Sequence, residues 1–235
     1  MNQADLVDQA IISRKSVRAY LDKPVDKSII TDILQVAARA PSGNNIQPWN
    51  VIALSGKVKN SLSQAIISEI HSALANNKFS LQNYPYEFDY YPQEWIEPFI
   101  SRRRKVGFDL FQKAGIARDD KVGRQKLYED NFWFFRAPVG LLFLMNRIHN
   151  QGALIDIGGF IQNVSIAARA RGLDTCPQAI FSSMHKIIYQ HLNIEKDMML
   201  ICGMALGYSN SNHPVNQLTT ERVPVTEFTR FAGFN

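Results

Sequence analysis

Three cations and a hydroxyl fall within five residues: Arg14, Lys15, Ser16 and Arg18. In an extended segment alternate residues share a side, so Arg14, Ser16 and Arg18 can face one ligand together. Guanidinium forks and a hydroxyl match phosphate oxygens. The same run also reads as plain basic surface following a helix. A second grouping, Pro41-Ser42-Gly43-Asn44-Asn45-Ile46-Gln47-Pro48-Trp49, offers side-chain amides that donate and accept, as the N–H and C=O edge of a heterocycle requires. Asx turns in an ordinary loop would use the same residues. A third runs from Gly172 to Ala179, behind a helix carrying Gly158 and Gly159. A glycine inside a helix costs about 1 kcal/mol relative to alanine. The pair therefore predicts close approach of something to that backbone, either a packed helix of the same chain or the helix of a partner subunit.

Other chemistries find no home. The sequence holds no G-x-x-x-x-G-K-[ST] loop, no G-x-G-x-x-G after a strand and no G-x-S-x-G elbow, and its five histidines lack metal-ligand spacing. Hydrolysis, P-loop chemistry and a Rossmann nucleotide site are not indicated.

Several elements must position these groups. Leu6, Ala10 and Ile11 predict a short helix over Asp5 to Ser13 that delivers the Arg14 to Arg18 segment. Ile30, Ile33, Leu34, Ala37 and Ala38 follow helical spacing, giving a helix to Ala40 that stops before Pro41. Strands are expected at Trp49 to Leu54, Pro138 to Met145 and Met198 to Ala205. Further helices are expected around Leu62 to Ala73, Phe99 to Leu110, before Asn131, over Gly152 to Arg171, and over Ser183 to Leu192. The aromatic stretch Tyr84 to Trp95 is too long for a simple connection and reads as a lid or an interaction surface. The tail beyond Asn210 should extend away from the core or wrap around something. No repeat or linker divides the chain. It reads as one α+β domain, residues 1–235, with a helical lid insertion at about 75–130.

The 235 residues are 46% hydrophobic and 20% charged, ordinary for a globular domain. The net charge of +5 favours anionic ligands, although part of it sits in the run Arg102 to Lys105. No aromatic and basic residues interleave as a single-strand platform requires, so no nucleic-acid partner is expected. The apolar runs are too short for a bilayer and the amino terminus lacks a signal pattern. Cys176 and Cys202 fit reduced thiols. A cytoplasmic protein is expected.

Four motifs in order, R-K-S-V-R, A-P-S-G-N-N-I-Q-P-W, D-I-G-G-F-I-Q-N running into R-G-L-D-T-C-P-Q, and L-G-Y before a proline-containing tail, resemble the FMN-dependent nitroreductase family. The resemblance implies a central, mostly antiparallel sheet flanked by helices, and a homodimer with exchanged tails and FMN at the subunit interface. Arg14, Lys15 and Ser16, with Arg222 of the tail, match phosphate-binding positions, and Arg18 matches the cation near flavin N1 and C2=O. Pro41, Ser42, Gly43, Asn45 and Gln47 match the loop given by the other subunit. Pro177, Gln178 and Ala179 match the segment beside the ring, and Asn131 resembles an amide facing the pyrimidine edge. The implied activity is ping-pong hydride transfer from NADPH or NADH to a small aromatic acceptor such as a nitroaromatic or a quinone. No side chain is required as catalytic acid or base, and no metal is implied. Reductive dehalogenation or flavin destruction on the same scaffold, or flavin binding without catalysis, are the alternatives.

Overall fold

The segment Val139–Asn146 is apolar at almost every position because the fold covers both of its faces. In the computed structural model, residues 2–76, 78 and 80–234 are described. Met1, Asn77, Phe79 and Asn235, which belong to the expected 1–235 domain, lie outside the described residues. Among the described residues four strands, β1 (Asn50–Ser55), β2 (Val139–Asn146), β3 (Asp174–Gln178) and β4 (Met198–Gly207), form one antiparallel sheet in the order β1-β2-β4-β3. Around it lie α1 (Gln3–Ser13), α2 (Lys27–Ala37), α3 (Gly56–Ala75), α4 (Phe99–Lys113), α5 (Lys121–Phe132), α6 (Gly152–Ala170), α7 (His185–Leu192) and the single turn α8 (Val225–Phe228).

On one face of the sheet Leu142 and Leu144 meet Leu62, Ile66 and Ile70 of α3 and Ile188 of α7. On the other, Val139, Leu141 and Phe143 meet Ile33 and Ala37 of α2 and Phe160, Val164 and Ala168 of α6. Fully burying one such Leu, Ile or Phe contributes about 1.5–3 kcal/mol. Two glycines let aromatic rings lie directly on the strands. A Cβ on Gly140 would sit 2.6 Å from the Phe134 ring, and one on Gly203 would sit 2.5 Å from the Phe181 ring. Those two rings pack together with centroids 4.4 Å apart. Phe134 reaches its place through a run of left-handed backbone, with φ of 53°, 50° and 65° at Phe134, Phe135 and Arg136. β-Strand register shifts once, where Ile201 is the extra residue between Leu200 and Cys202 opposite Leu144 and Phe143.

Most expected elements appear with shifted ends. α1 starts at Gln3, because Asn2 and Asp5 cap each other reciprocally at 2.9 and 3.0 Å. α2 closes at Ala37, and residues 38–40 form tight turns ahead of Pro41. The helix expected from Ser183 begins as a 3-10 turn over Ala179–Met184 and becomes α7 at His185. Three strands match the expected segments, and β3 is additional. Pro177 inside it has no N–H, a tolerable loss because β3 is an edge strand paired only with β4 along that stretch. The tail folds back first: Val215 and Asn216 are buried in a turn over Pro214–Gln217, whereas residues 225–228 are exposed.

Candidate functional site

Arg14 and Lys15 leave the end of α1 and line a cleft of about 720 Å³ together with Arg222 from the tail. Gln162 and Arg169 of α6 line it too, as do Thr219 and Thr220. None of Arg14, Lys15 and Arg222 has a carboxylate partner among the described residues. Lys15 donates to the Asn216 carbonyl, and Arg222 donates to its own neighbours, Thr220 Oγ1 at 2.8 Å and the Glu221 carbonyl at 2.8 Å. Lys15 and Arg222, held by carbonyls and a hydroxyl, and Arg14, with no bonded partner among the described residues, keep their full charge for an anion.

Two partnerships that the sequence reading missed fix this cleft. Arg169 bridges the end of α1 and the start of β3, donating to Ser13 Oγ at 2.8 Å and to both oxygens of the buried Asp174 at 3.2 and 3.3 Å. Asn216, also buried, accepts from the Arg18 N–H at 2.8 Å and donates to the carbonyls of Ala19 at 2.7 Å and Asn210 at 2.9 Å. The only local hint of the first is the charged stretch R-A-R-G-L-D, residues 169–174, between an apolar helix and an apolar strand. The second has no local signal, since Asn216 reads as an ordinary turn residue.

Ser16 follows Lys15 in the chain but does not line that cleft. It bridges to Thr175 of β3, and its hydroxyl hydrogen-bonds the Cys176 thiol. Burial pushes that thiol above its ordinary value, opposed by the nearby Arg18, by the Ser16 bond and by Arg14. Arg18 donates to the Ser16 carbonyl at 3.3 Å, and Arg14, Ser16 and Arg18 all lie near the Cys176 thiol. Arg18 turns into a neighbouring cleft with Lys126, Asp130 and Arg136, its guanidinium 6.0 Å from the Phe135 ring. Burial raises the Asp130 carboxyl there, an effect that Arg136 and Lys126 partly reverse.

Gln178 and Asn131 come together. The Gln178 amide donates to the Asn131 carbonyl at 2.7 Å, while the Asn131 amide donates back to the carbonyls of Leu127 and Tyr128 at 3.2 Å each. Gln178 Oε1 and Thr175 Oγ1 are buried without a hydrogen-bond partner among the described residues. Pro177 is exposed beside them and Ala179 half-buried. The amide loop lies elsewhere. Asn44, Asn45 and Gln47 all have positive φ, Gln47 N–H donates to Ser42 Oγ at 3.0 Å, and Gly43 N–H donates to Asp156 Oδ2 at 3.2 Å. Pro41, Gly43, Asn45 and Gln47 are exposed and Ser42 half-buried. Asp156 and Arg169 are thirteen residues apart on α6, roughly 20 Å at 1.5 Å per residue. One chain therefore keeps its amide loop well away from its cation cleft.

The Nitroreductase family profile matches residues 11–208. Chloronitrobenzene nitroreductase of Comamonas testosteroni is 36% identical over 98% of this chain and 99% of its own length. The chain belongs to the nitroreductase family. Two solved structures share its fold closely. The FMN and NADPH-dependent nitroreductase NfnB of Sphigopyxis sp. strain HMH is 33% identical and superposes with a TM-score of 0.90, covering 97% of this chain and 99% of that one. The FMN-dependent nitroreductase NfnB of Mycobacterium smegmatis, solved with NADPH, is 26% identical with a TM-score of 0.89, covering 98% and 100%.

For a nitroreductase family member the test is whether the residues present fit FMN, an anion at one end and a ring with a polar edge at the other. They do. The Arg14, Lys15 and Arg222 cleft suits the phosphate, and the orphaned Gln178 Oε1 and Thr175 Oγ1 supply polar atoms that the chain itself does not satisfy. Among the described residues no cluster of metal-ligating side chains occurs, and no helix is long and apolar enough to cross a membrane.

Proposed function

We propose that this protein is an FMN-dependent oxidoreductase that uses NADPH or NADH to reduce nitroaromatic or quinone-like compounds, acting as a cytoplasmic homodimer where reduced nicotinamide is available. The observation that carries the reading is the gathering of Arg14, Lys15 and Arg222 around one cleft in a chain related to nitroreductases along nearly its whole length. FMN, when bound, would supply two-electron transfer between nicotinamide and acceptor.

The protein supplies charge and orientation. Arg14, Lys15, Ser16 and Arg222 hold the phosphate end. Arg18 stands at the ring end, where a fixed guanidinium stabilises negative charge without reorganisation. Asn131, Pro177, Gln178 and Ala179 border the ring. The remaining wall comes from Pro41, Ser42, Gly43, Asn45 and Gln47 of a second copy. Antiparallel pairing of α6 with its copy about a two-fold axis near Gln162 would bring Asp156 of one chain level with Arg169 of the other, and with it the amide loop to the cation cleft. Several features support this pairing. Ile155 on α6 is 79% exposed and Ile12 on α1 is 82% exposed, nothing lies within 4 Å of a Cβ built on Gly158 or Gly159, and Phe228, Phe231 and Phe234 of the tail are exposed. The 75–130 insertion, with the Tyr84 to Trp95 stretch, would form the lid that selects the acceptor.

An anaerobic spectrum tests the reading. Purified protein should be yellow and dimeric, NADPH or NADH should bleach it, and nitrobenzene or 4-nitrobenzoate should restore the colour. Arg18→Ala should slow bleaching or weaken FMN retention. A colourless monomer that takes up no added FMN, or a yellow protein that neither nicotinamide bleaches, overturns it.

A further inference from the structure

Helix α3 begins with the wrong charges for its dipole. Ser55 makes no side-chain cap bond, no acidic residue occupies the first turn, and Lys57 and Lys59 stand there instead. Cations at a helix amino terminus are unfavourable, and the first amides lack intrahelical acceptors. Lys59 is more unusual still. It is only 6% exposed, and among the described residues no carboxylate, carbonyl or hydroxyl bonds its ammonium. The Phe134 ring centroid lies 5.8 Å from it. Burial, and then the nearby Arg136, lowers the Lys59 pKa below its ordinary value. A buried charge without a counter-charge is costly to a fold, and a bound anion would offset that cost.

Lys59 lines a cavity of about 860 Å³ where β1 runs into α3. Arg136 reaches it from a different element, the left-handed turn, with its guanidinium 4.5 Å from the Trp133 ring centroid and Asp130 3.8 Å away. Asp22, Asn60 and Gln64 add to the polar lining, with the hydroxyls of Tyr20 and Ser55. The cavity is distinct from the cleft of Arg14 and Arg222, but it shares Tyr20 and Arg136 with the cleft that holds Arg18.

We propose that this cavity is a second anion site, which binds the phosphoryl group of a small hydroxylated molecule. Unfilled helix amides, an ammonium and a guanidinium from separate elements together match the oxygens of a phosphate. Asp22 repels a second anion but accepts from hydroxyls, and Asn60 and Gln64 both donate and accept. The volume lies in the range of small-molecule sites and exceeds what phosphate alone would fill. Occupancy would restrain Arg136 and so reach the neighbouring Arg18 cleft.

The test uses protein saturated with FMN, melted with increasing inorganic phosphate or ribose 5-phosphate against sodium chloride of equal ionic strength. Both probes should raise the melting temperature of the parent protein beyond the chloride effect, ribose 5-phosphate at the lower concentration. Lys59→Met should raise the ligand-free melting temperature by removing the unpaired charge, and should weaken the response to both probes at least about tenfold. Its FMN content and NADPH oxidation should match the parent. Arg136→Gln, read in the same titration, should weaken the response without relieving the buried charge, and it carries the test if Lys59→Met does not fold. Equal potency of the two probes would uphold the phosphoryl site and overturn the hydroxylated carrier. A Lys59→Met or Arg136→Gln response equal to the parent's, or no effect of either probe beyond chloride, would overturn the site.

Discussion

The sheet and the aromatic segment 84–98 are held in opposite ways. Around the sheet, side chains such as Phe134, Phe181, Leu142 and Ile188 are buried among one another, and stability is spread over many apolar contacts. In the segment, Tyr90 and Tyr91 meet edge to face at 4.6 Å and Tyr91 meets Trp95 at 5.8 Å, yet Tyr90 and Tyr91 remain half exposed. Phe88 packs against the cluster of Met145 and Ile157, and the other anchors are polar. Tyr84 donates to Glu69 at 2.9 Å. The Glu87 N–H donates to Ser182 Oγ at 3.0 Å, and the Glu87 carboxylate meets His185 Nε2 at 3.0 Å and the guanidinium of Arg147. Distributed packing fails as a whole, whereas a clasp opens by itself. The difference predicts that the segment opens while the framework stays folded.

Four substitutions would break or sharpen that contrast. Gly203→Val should have the largest effect, about 3 kcal/mol or more of global destabilisation, because a Cβ there meets the Phe181 ring at 2.5 Å on a packed strand. Thermal melting should show it together with loss of tightly packed aromatic signals. Glu87→Ala should cost about 2 kcal/mol, less than a fully buried pair because Arg147 is partly exposed. The loss should be confined to the clasp, so hydrogen exchange and proteolysis should rise across 84–98 while the sheet amides keep their protection. Uniform loss of protection would erase the distinction between the two regions.

The third test uses pH. Burial pushes the Cys202 thiol up from 9.0 to about 12. The folded chain therefore keeps it protonated where the unfolded chain ionises it. The associated stability is complete below pH 9 and is lost as pH rises toward about 12. Relative to Cys202→Ala, the parent protein should lose about 1.4 kcal/mol between about pH 8 and about pH 10 in denaturant titrations. A pH-independent difference would mean that water reaches that face of the sheet. The smallest effect is expected at the joint between the regions. Tyr189 Oη accepts from the Leu200 N–H at 2.8 Å and donates to the Met198 carbonyl at 3.1 Å. Tyr189→Phe should cost about 1 kcal/mol and raise exchange at Leu200.

Local periodicity revealed the framework. Ile30, Ile33, Leu34 and Ala37 mark α2, and the apolar run of β2 marks a strand, which the fold covers on both faces. β3 stayed hidden because Pro177 looks like a strand breaker until its edge position is known. Site residues followed the same division. Arg14 and Lys15 stood out by clustering, and Arg222 joined them only through the family resemblance. Asn216, the Arg169 to Asp174 bridge and the unpartnered Lys59 escaped because their roles depend on tertiary neighbours: Asn216 acts on Arg18, 198 positions away.

The run Phe134, Phe135 and Arg136 winds against the handedness natural to L-amino acids, at a cost of roughly 1–2 kcal/mol per residue. Glycine would relax that backbone, but it would strip away the ring that covers Gly140 or the guanidinium beside Trp133. Mutation thus faces a ratchet here, since the changes that ease the main chain remove the reason for its shape. A mirror-image residue introduced at Arg136 by chemical synthesis would separate the two demands, keeping the guanidinium while letting the peptide coil in its preferred sense.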